Sequence, residues 1–224
     1  MKQFLSLISM LFASVFPPLI SAEALDDKLA SLGFVDVSTI DSEIVVSLMY
    51  ARDDNFVGKT MYTTLTRAYL HPEAAKALQK SQSALKQLHP EYTLKICDAA
   101  RPMSVQRTMY KAVQGTSKAR YVSNPANGGG LHNYGLAVDI TIADQHGNEL
   151  DMGTHVDHLG PEANIDKEQQ LVARGVITEQ ARNNRILLRK VMAAGGWKPL
   201  RSEWWHFNLR SRAIARSRYK RLDF

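Results

Sequence analysis

Two histidines and two carboxylates in this sequence have a spacing that suits a metal site. His132 is followed seven residues later by Asp139, and Glu203 precedes His206 by three residues. A catalytic zinc ion takes three protein ligands from His, Asp and Glu and keeps a fourth position open for water. His132, Asp139 and His206 satisfy that count, so we predict one zinc ion per chain. Taken singly, either histidine could equally well be a structural residue that forms a hydrogen bond.

The segment around Asp139 is predicted to be a strand. Apolar residues occupy every second position of it, namely Leu136, Val138, Ile140 and Ile142. Since successive side chains of a strand point to opposite faces, these four bury together and Asp139 faces the other way. An ionised aspartate in so apolar a strand is unfavourable unless it is paired or bound to a metal. Gly135 permits a sharp chain reversal between His132 and this strand.

Glu203 is the candidate general base. On a helix, residues three apart share a face, whereas on a strand they point apart. The aromatic sequence Glu203-Trp-Trp-His206 favours a strand, so we predict that Glu203 lies at its start, where an irregular backbone can turn it towards the metal. There it would take a proton from zinc-bound water, whose pKa the metal has lowered. The alternative is a surface carboxylate.

The helices and strands that must position these residues do not alternate regularly along the chain. Helices are predicted over 71–88 and 178–194. A third helix is predicted to begin at Arg101-Pro102 and to bury Val105, Met109 and Ala112. Strands are predicted over 43–50, 92–98, 136–142 and 203–209, and a long irregular segment precedes residue 178. This order predicts a single α+β domain over 25–224, with a mainly antiparallel central sheet and flanking helices.

The N-terminus, residues 1–24, is predicted to be a signal peptide. Lys2 precedes an apolar run, and Ala22-Glu-Ala24 offers a small-x-small cleavage site. The run is too short to span a bilayer. We therefore expect an exported protein, periplasmic or secreted, with no transmembrane span once the leader is removed. A retained membrane anchor is the alternative.

Composition narrows the choice of partners. The formal net charge is +6, and it is unchanged by loss of the leader, which carries one Lys and one Glu. A basic tail contributes to it through Arg210, Arg212, Arg216, Arg218, Lys220 and Arg221. Because the chain has an export signal, nucleic acid is excluded as a partner. The basic tail is then either a solvated surface or a contact site for an anionic polymer of the cell envelope. Cys97 is the only cysteine, so neither an internal disulfide nor a thiolate metal site is available.

From about Ile44 to Leu209 the chain resembles the D-alanyl-D-alanine dipeptidases. These zinc enzymes, best known from vancomycin resistance, belong to the zinc DD-peptidases, whose fold is shared with the Hedgehog signalling domain. The resemblance rests on five motifs in order: Tyr50-Ala51 with Asn55-Phe56-x-Gly58, Asp98-Ala-Ala-Arg101-Pro102, His132-x-x-Gly135-x-Ala137-x-Asp139, Leu150-Asp-Met-Gly-Thr154, and Glu203-Trp-Trp-His206-Phe207.

The resemblance implies roles for individual residues. His132, Asp139 and His206 would be the zinc ligands, Glu203 the acid and base, and Arg101 the group that stabilises the transition state. An aspartate near residue 157 holds the substrate ammonium in relatives, so Asp157 is the candidate here, with a turn-capping aspartate as the alternative.

One departure from the family's motifs concerns residues that help to hold the substrate. Family members often carry serines immediately before the first ligand histidine, where this chain has Gly130 and Leu131.

Three functions fit these observations. The first is a zinc dipeptidase that hydrolyses D-Ala-D-Ala. The second is a carboxypeptidase or endopeptidase of the same chemistry that acts on peptidoglycan stem peptides or fragments. The third is a zinc-bearing envelope-binding module without catalysis, which would need neither Glu203 as a base nor Arg101 as an oxyanion partner. An exported dipeptidase would serve peptidoglycan turnover or the scavenging of released dipeptide.

Overall fold

A five-stranded sheet lies at the centre of the computed structural model, which describes residues 24–224. The strands are β1 Val35–Asp36, β2 Val45–Val46, β3 Tyr69–Leu70, β4 Thr93–Asp98, β5 Ala137–Ala143, β6 Lys198–Leu200 and β7 Glu203–Asn208. The central sheet has the order β2-β4-β5-β7-β6, while β1 and β3 form a separate antiparallel pair. Only β2 and β4 run parallel in the central sheet. The mainly antiparallel α+β architecture predicted from the sequence is therefore confirmed.

Helices cover the sheet. They are α1 Leu25–Ser31, α2 Pro72–Leu88, α3 Met103–Val113, α4 Glu168–Ala173, α5 Glu179–Ala194 and α6 Arg212–Arg218. The two longest, α2 and α5, pack against each other, and they contact β4 and β5 respectively. No helix in the described part of the chain combines the length and apolarity that crossing a membrane requires. The predicted leader lies outside the described residues apart from Ala24.

The ends of α2 and α5 follow from local chemistry. Pro72 occupies the first turn of α2, where its missing N–H is not needed. The Thr178 hydroxyl accepts a hydrogen bond from Ala181 N at 2.9 Å and so caps α5. The helices predicted over 71–88 and 178–194 are confirmed within one residue at their N-terminal ends.

Strand β5 is buried along its whole length on both faces. It lies between β4 and β7, and α5 packs against it. Its apolar alternation places one set of side chains in the core, as predicted. The opposite face, which carries Asp139, is buried as well, so the polar groups there must find partners within the protein.

The structure corrects four details of the predicted elements. The strand predicted over 43–50 is only Val45–Val46, because the chain then turns through the 3-10 segment Met49–Ala51 and buries its apolar side chains there. In α3, Val113 is buried while Ala112 is exposed, since burial recurs every fourth residue from Val105. The segment before residue 178 contains α4. The basic tail forms a helix, α6, where no element was predicted.

Candidate metal centre and active site

The three predicted metal ligands come together on one face of the sheet. Asp139 on β5 and His206 on β7 are directly opposite each other in the antiparallel pairing, so their side chains are close neighbours. His132 reaches the same point from the 3-10 segment Leu131–Tyr134, just before β5. Its Nε2 lies 3.2 Å from His206 Nδ1 and 3.3 Å from Asp139 Oδ2, and His206 Nδ1 lies 2.9 Å from Asp139 Oδ1. These residues could hold a metal ion.

Gly135 makes the approach of His132 possible. Its φ of +63° ends the 3-10 segment and turns the chain into β5. A side chain is excluded as well, because a Cβ at this position would lie 2.4 Å from a ring carbon of Phe34 and 2.9 Å from the backbone nitrogen of His71. Both the backbone conformation and the packing therefore require glycine here, as the sequence predicts for the turn.

Hydrogen-bond acceptors on the far side of each ring favour the histidine tautomers that metal binding requires. His132 Nδ1 donates to the carbonyl oxygen of Ala99 at 2.7 Å, and His206 Nε2 donates to Asn208 Oδ1 at 2.9 Å. Each ring then presents its other nitrogen as a lone pair. Such outer partners are typical of histidines that bind metals.

The resulting donor set suits a metal ion. With these tautomers, two imidazole lone pairs and a carboxylate face one another within about 3.3 Å. Without a cation or a shared proton between them, these groups would repel each other in a buried site. Burial alone would raise the pKa of Asp139, but positive charge and hydrogen-bond donation from the two histidines hold it well below its ordinary value. Asp139 is therefore ionised and ready to bind a metal.

Glu203 is the first residue of β7, as predicted. The pairing of β7 with β6 shifts register between Glu203 and Phe207, and such an irregularity re-aims side chains along a strand. Glu203 and His206, three residues apart, consequently line the same cavity. Glu203 is only 7 % exposed. Burial raises its pKa to about 7, against the opposing effect of His206.

Arg101 lies between β4 and α3 and is held on two sides. Its Nε and Nη2 donate to Asp98 Oδ2 at 2.9 and 2.5 Å, and its Nη1 donates to Gln106 Oε1 at 3.0 Å. The guanidinium also lies over the ring of Tyr50, 5.1 Å from its centre. Arg101 is 7 % exposed and lines the cavity, so its guanidinium is a buried cation beside the metal ligands.

Asp157 has the only positive φ among non-glycine residues of the described chain, at 70°. Its carboxylate accepts hydrogen bonds from Tyr50 Oη at 3.0 Å and from Phe56 N at 3.4 Å. Burial, followed by the charge of Asp139, raises the pKa of Asp157 to about 7. Backbone strain and a carboxyl of raised pKa at a cavity wall are both typical of functional residues.

One cavity of about 310 Å³ joins all these groups. It is lined by His132, Asp139, His206, Glu203, Arg101 and Asp157, together with Tyr50 and Asn208. None of the other five histidines joins the metal cluster within the described residues. The cavity therefore contains three residues that could hold a metal ion, a carboxyl of pKa near 7, a fixed guanidinium and a second carboxyl.

Sequence reasoning missed three supporting side chains. Tyr50 and Asp98 belong to the motifs quoted above but were given no role. Asn208 could have been found, because it lies two residues after His206 and so shares its face of β7.

Comparisons with known proteins identify the family of this chain. The sequence profile of peptidase family M15, described as D-ala-D-ala dipeptidase, matches residues 30–222. A D-alanyl-D-alanine dipeptidase of Escherichia coli (strain K12) is 36 % identical over 175 residues, which are 78 % of this chain and 83 % of that protein. Proteins of the same name from Streptomyces coelicolor and Enterococcus faecalis are 30 % and 28 % identical, over 79 % and 71 % of this chain and 91 % and 83 % of theirs. The chain thus belongs to the D-ala-D-ala dipeptidase family of metallopeptidases.

Proposed function

We propose that this protein is a zinc-dependent dipeptidase that hydrolyses D-alanyl-D-alanine to two molecules of D-alanine. The observation that carries the proposal is the convergence of three ligand atoms, Glu203 and Arg101 in one small cavity. The names of the relatives support the choice of substrate.

The metal would be held by His132 Nε2, His206 Nδ1 and the carboxylate of Asp139. Two imidazoles and one carboxylate, with no thiolate, suit zinc. When bound, zinc lowers the pKa of a water molecule and polarises the carbonyl group that is attacked.

Glu203 moves the protons. With a pKa near 7 it is partly ionised at neutral pH, so it can accept a proton from the attacking water and then deliver it to the leaving amine nitrogen. It lines the same cavity as His206, which supports this role beside the metal ligands.

Arg101 stabilises the oxyanion that develops on the scissile carbonyl. Three of its N–H groups are already engaged by Asp98 and Gln106, so the plane of the guanidinium is fixed before substrate arrives. Donors oriented in advance for the transition state lower the barrier without a cost of reorganisation at the moment of reaction. A metal-bearing binding module has no need of this arrangement.

Asp157 binds the free amino group of the dipeptide. Burial raises the pKa of this carboxyl to about 7, so a cation placed beside it strongly stabilises its ionised form. The cavity volume of about 310 Å³ is at the lower end of the range of about 300–1,000 Å³ seen for small-molecule sites. This volume favours a dipeptide over a longer stem peptide.

We also propose that the protein acts outside the cytoplasm. The support is the leader-like sequence of residues 1–24. In the cell envelope the enzyme would act on dipeptide released during peptidoglycan turnover. Fractionation of the producing cells together with N-terminal sequencing tests this, because protein that is found in the cytoplasm and still begins at Met1 would contradict it.

The decisive experiment is a product assay with purified, zinc-loaded protein. Free D-Ala-D-Ala, its N-acetylated form and a muropeptide ending in D-Ala-D-Ala are compared, with metal-free protein as the control. We expect rapid release of D-alanine from the free dipeptide alone. Equal rates on the free and acetylated forms would assign the protein to the stem-peptide carboxypeptidases, and full activity without metal would overturn the metal mechanism.

A further inference from the structure

The basic tail places cations in the wall of the active-site cavity. Arg210 and Arg212 both line it. The charge of Arg210 is balanced, because its Nη2 lies 2.8 Å from a carboxylate oxygen of Glu73. Arg212 has no carboxylate oxygen within 4.0 Å among residues 24–224, although its side chain is ordered by a hydrogen bond. A cation of this kind beside a catalytic site is available to an anionic group of a ligand.

Ser123 provides that hydrogen bond. Arg212 Nη2 donates to Ser123 Oγ at 2.9 Å. The backbone carbonyl of Ser123 in turn accepts from Gln106 Nε2 at 2.8 Å, and Gln106 is the residue that holds Arg101. Ser123 and Arg212 are therefore tied to the oxyanion arginine through a chain of hydrogen bonds. This chain of hydrogen bonds connects Ser123 and Arg212 to the part of the cavity that holds Arg101.

Gly130 leaves the space that the side chain of Ser123 needs. Its backbone is extended, with φ −111° and ψ −176°, so any residue could adopt this conformation. A Cβ at residue 130 would lie 2.9 Å from Ser123 Oγ and 3.2 Å from its Cβ. Glycine is thus explained by packing and not by backbone strain. It allows the hydroxyl of Ser123 to approach the cavity next to the segment that carries His132.

We infer that Ser123 and Arg212 bind the terminal carboxylate of the substrate. This assignment rests on the proposed dipeptidase function and adds to it the recognition of the second charged end. Ser123 Oγ accepts from Arg212, so its own hydrogen remains free to donate, and the guanidinium has further N–H groups for a carboxylate. A zwitterionic dipeptide then meets a carboxylate at Asp157 and a cation at Arg212.

The consequence for specificity is a requirement for a free C-terminus. A charge-assisted hydrogen bond at a partly exposed site is worth about tenfold in binding. The wild-type enzyme should therefore have a kcat/KM for D-Ala-D-Ala about tenfold above that for its C-terminal amide, D-alanyl-D-alaninamide.

Substitutions at residue 212 test the inference with both substrates. Arg212→Ala should lower kcat/KM for the free acid about tenfold through KM, and it should leave the rate on the amide unchanged. Arg212→Lys should restore part of the loss, since it returns the charge without the planar fork. Arg218→Ala is the matched control, because Arg218 is an exposed arginine of the same helix and lies outside the cavity.

The outcomes separate this inference from the proposed function. Equal wild-type rates on acid and amide, or an equal loss on both substrates in Arg212→Ala, would overturn the carboxylate site and leave the dipeptidase intact. A wild-type protein that does not cleave free D-Ala-D-Ala would overturn the proposed function and this inference with it.

Discussion

Asn208 is expected to set the metal affinity of the site without touching the metal. Its Oδ1 accepts a hydrogen bond from His206 Nε2 at 2.9 Å. In Asn208→Leu this acceptor is lost while the side-chain volume is nearly kept. His206 is then free to carry its proton on Nδ1 instead, where it would block the metal position beside Asp139. The variant must reverse that protonation each time it binds a metal.

The size of the decrease in metal affinity follows from the strength of the hydrogen bond to Asn208 and from the burial of Asn208. A neutral hydrogen bond contributes about 0.5–1.5 kcal/mol net, and loss of an outer partner of a ligand histidine lowers metal affinity about 10- to 100-fold. Asn208 is half-buried, so water replaces part of what is lost. We therefore expect a decrease of about tenfold in zinc affinity, or about 1.4 kcal/mol. The equivalent partner of His132 is the backbone carbonyl of Ala99, which substitution cannot remove.

Competition for zinc against a chromophoric chelator measures this decrease directly. Asn208→Asp is the matched control, because it keeps an acceptor at the same place and should bind zinc at least as tightly as the wild type. Circular dichroism of the metal-free proteins verifies that all three are folded. An affinity of Asn208→Leu within twofold of the wild type would refute the reasoning, and so would an equal loss in the Leu and Asp variants.

Three further predictions concern the reaction itself. Glu203→Gln should keep its zinc and lose about 10²- to 10⁴-fold in kcat; metal analysis beside steady-state kinetics checks this, and a loss of metal in step with activity would make Glu203 a ligand. Arg101→Lys should lose about 10²- to 10³-fold in kcat, because a point charge does not replace the planar donor; a raised KM with unchanged kcat would show that it only binds substrate. Asp157 has a raised pKa of about 7, so it is neutral below that pH and charged above it. The KM for D-Ala-D-Ala should therefore rise as the pH falls through about 7, whereas Asp157→Asn should have a high KM that does not vary there; a wild-type KM that is flat across this range would contradict the assignment.

The clustering of His132, Asp139 and His206 could be predicted from the sequence because their chemistry and their local structure agree. The alternation around Asp139 defines a strand, and a buried carboxylate in that strand needs a cation. The odd spacing between Glu203 and His206 required an irregular strand, and the structure has a register shift at that place. In both cases a short-range pattern limits where the side chain points.

Contacts between distant segments could not be predicted in this way. Tyr50 and Asp157 are 107 residues apart, and nothing in either segment indicates their hydrogen bond. The strand predicted over 43–50 was too long for a related reason. Apolar residues show that a segment is buried, but a tight turn such as Met49–Ala51 buries them as well as a strand does. Hydrophobic pattern therefore predicts burial more reliably than backbone conformation.

The pairing of Asp139 with His206 also gives the metal a mechanical role. These residues are 67 positions apart in the chain and directly opposite each other in neighbouring strands. An ion bound by both acts as a non-covalent cross-link between β5 and β7, and it closes a long loop at the middle of the sheet. Because the unfolded chain lacks this site, folding and metal binding share one free energy, which grows with the concentration of free metal. Chelators and heat thus act on the same equilibrium, and loss of the ion weakens the centre of the sheet at the same time as it ends catalysis.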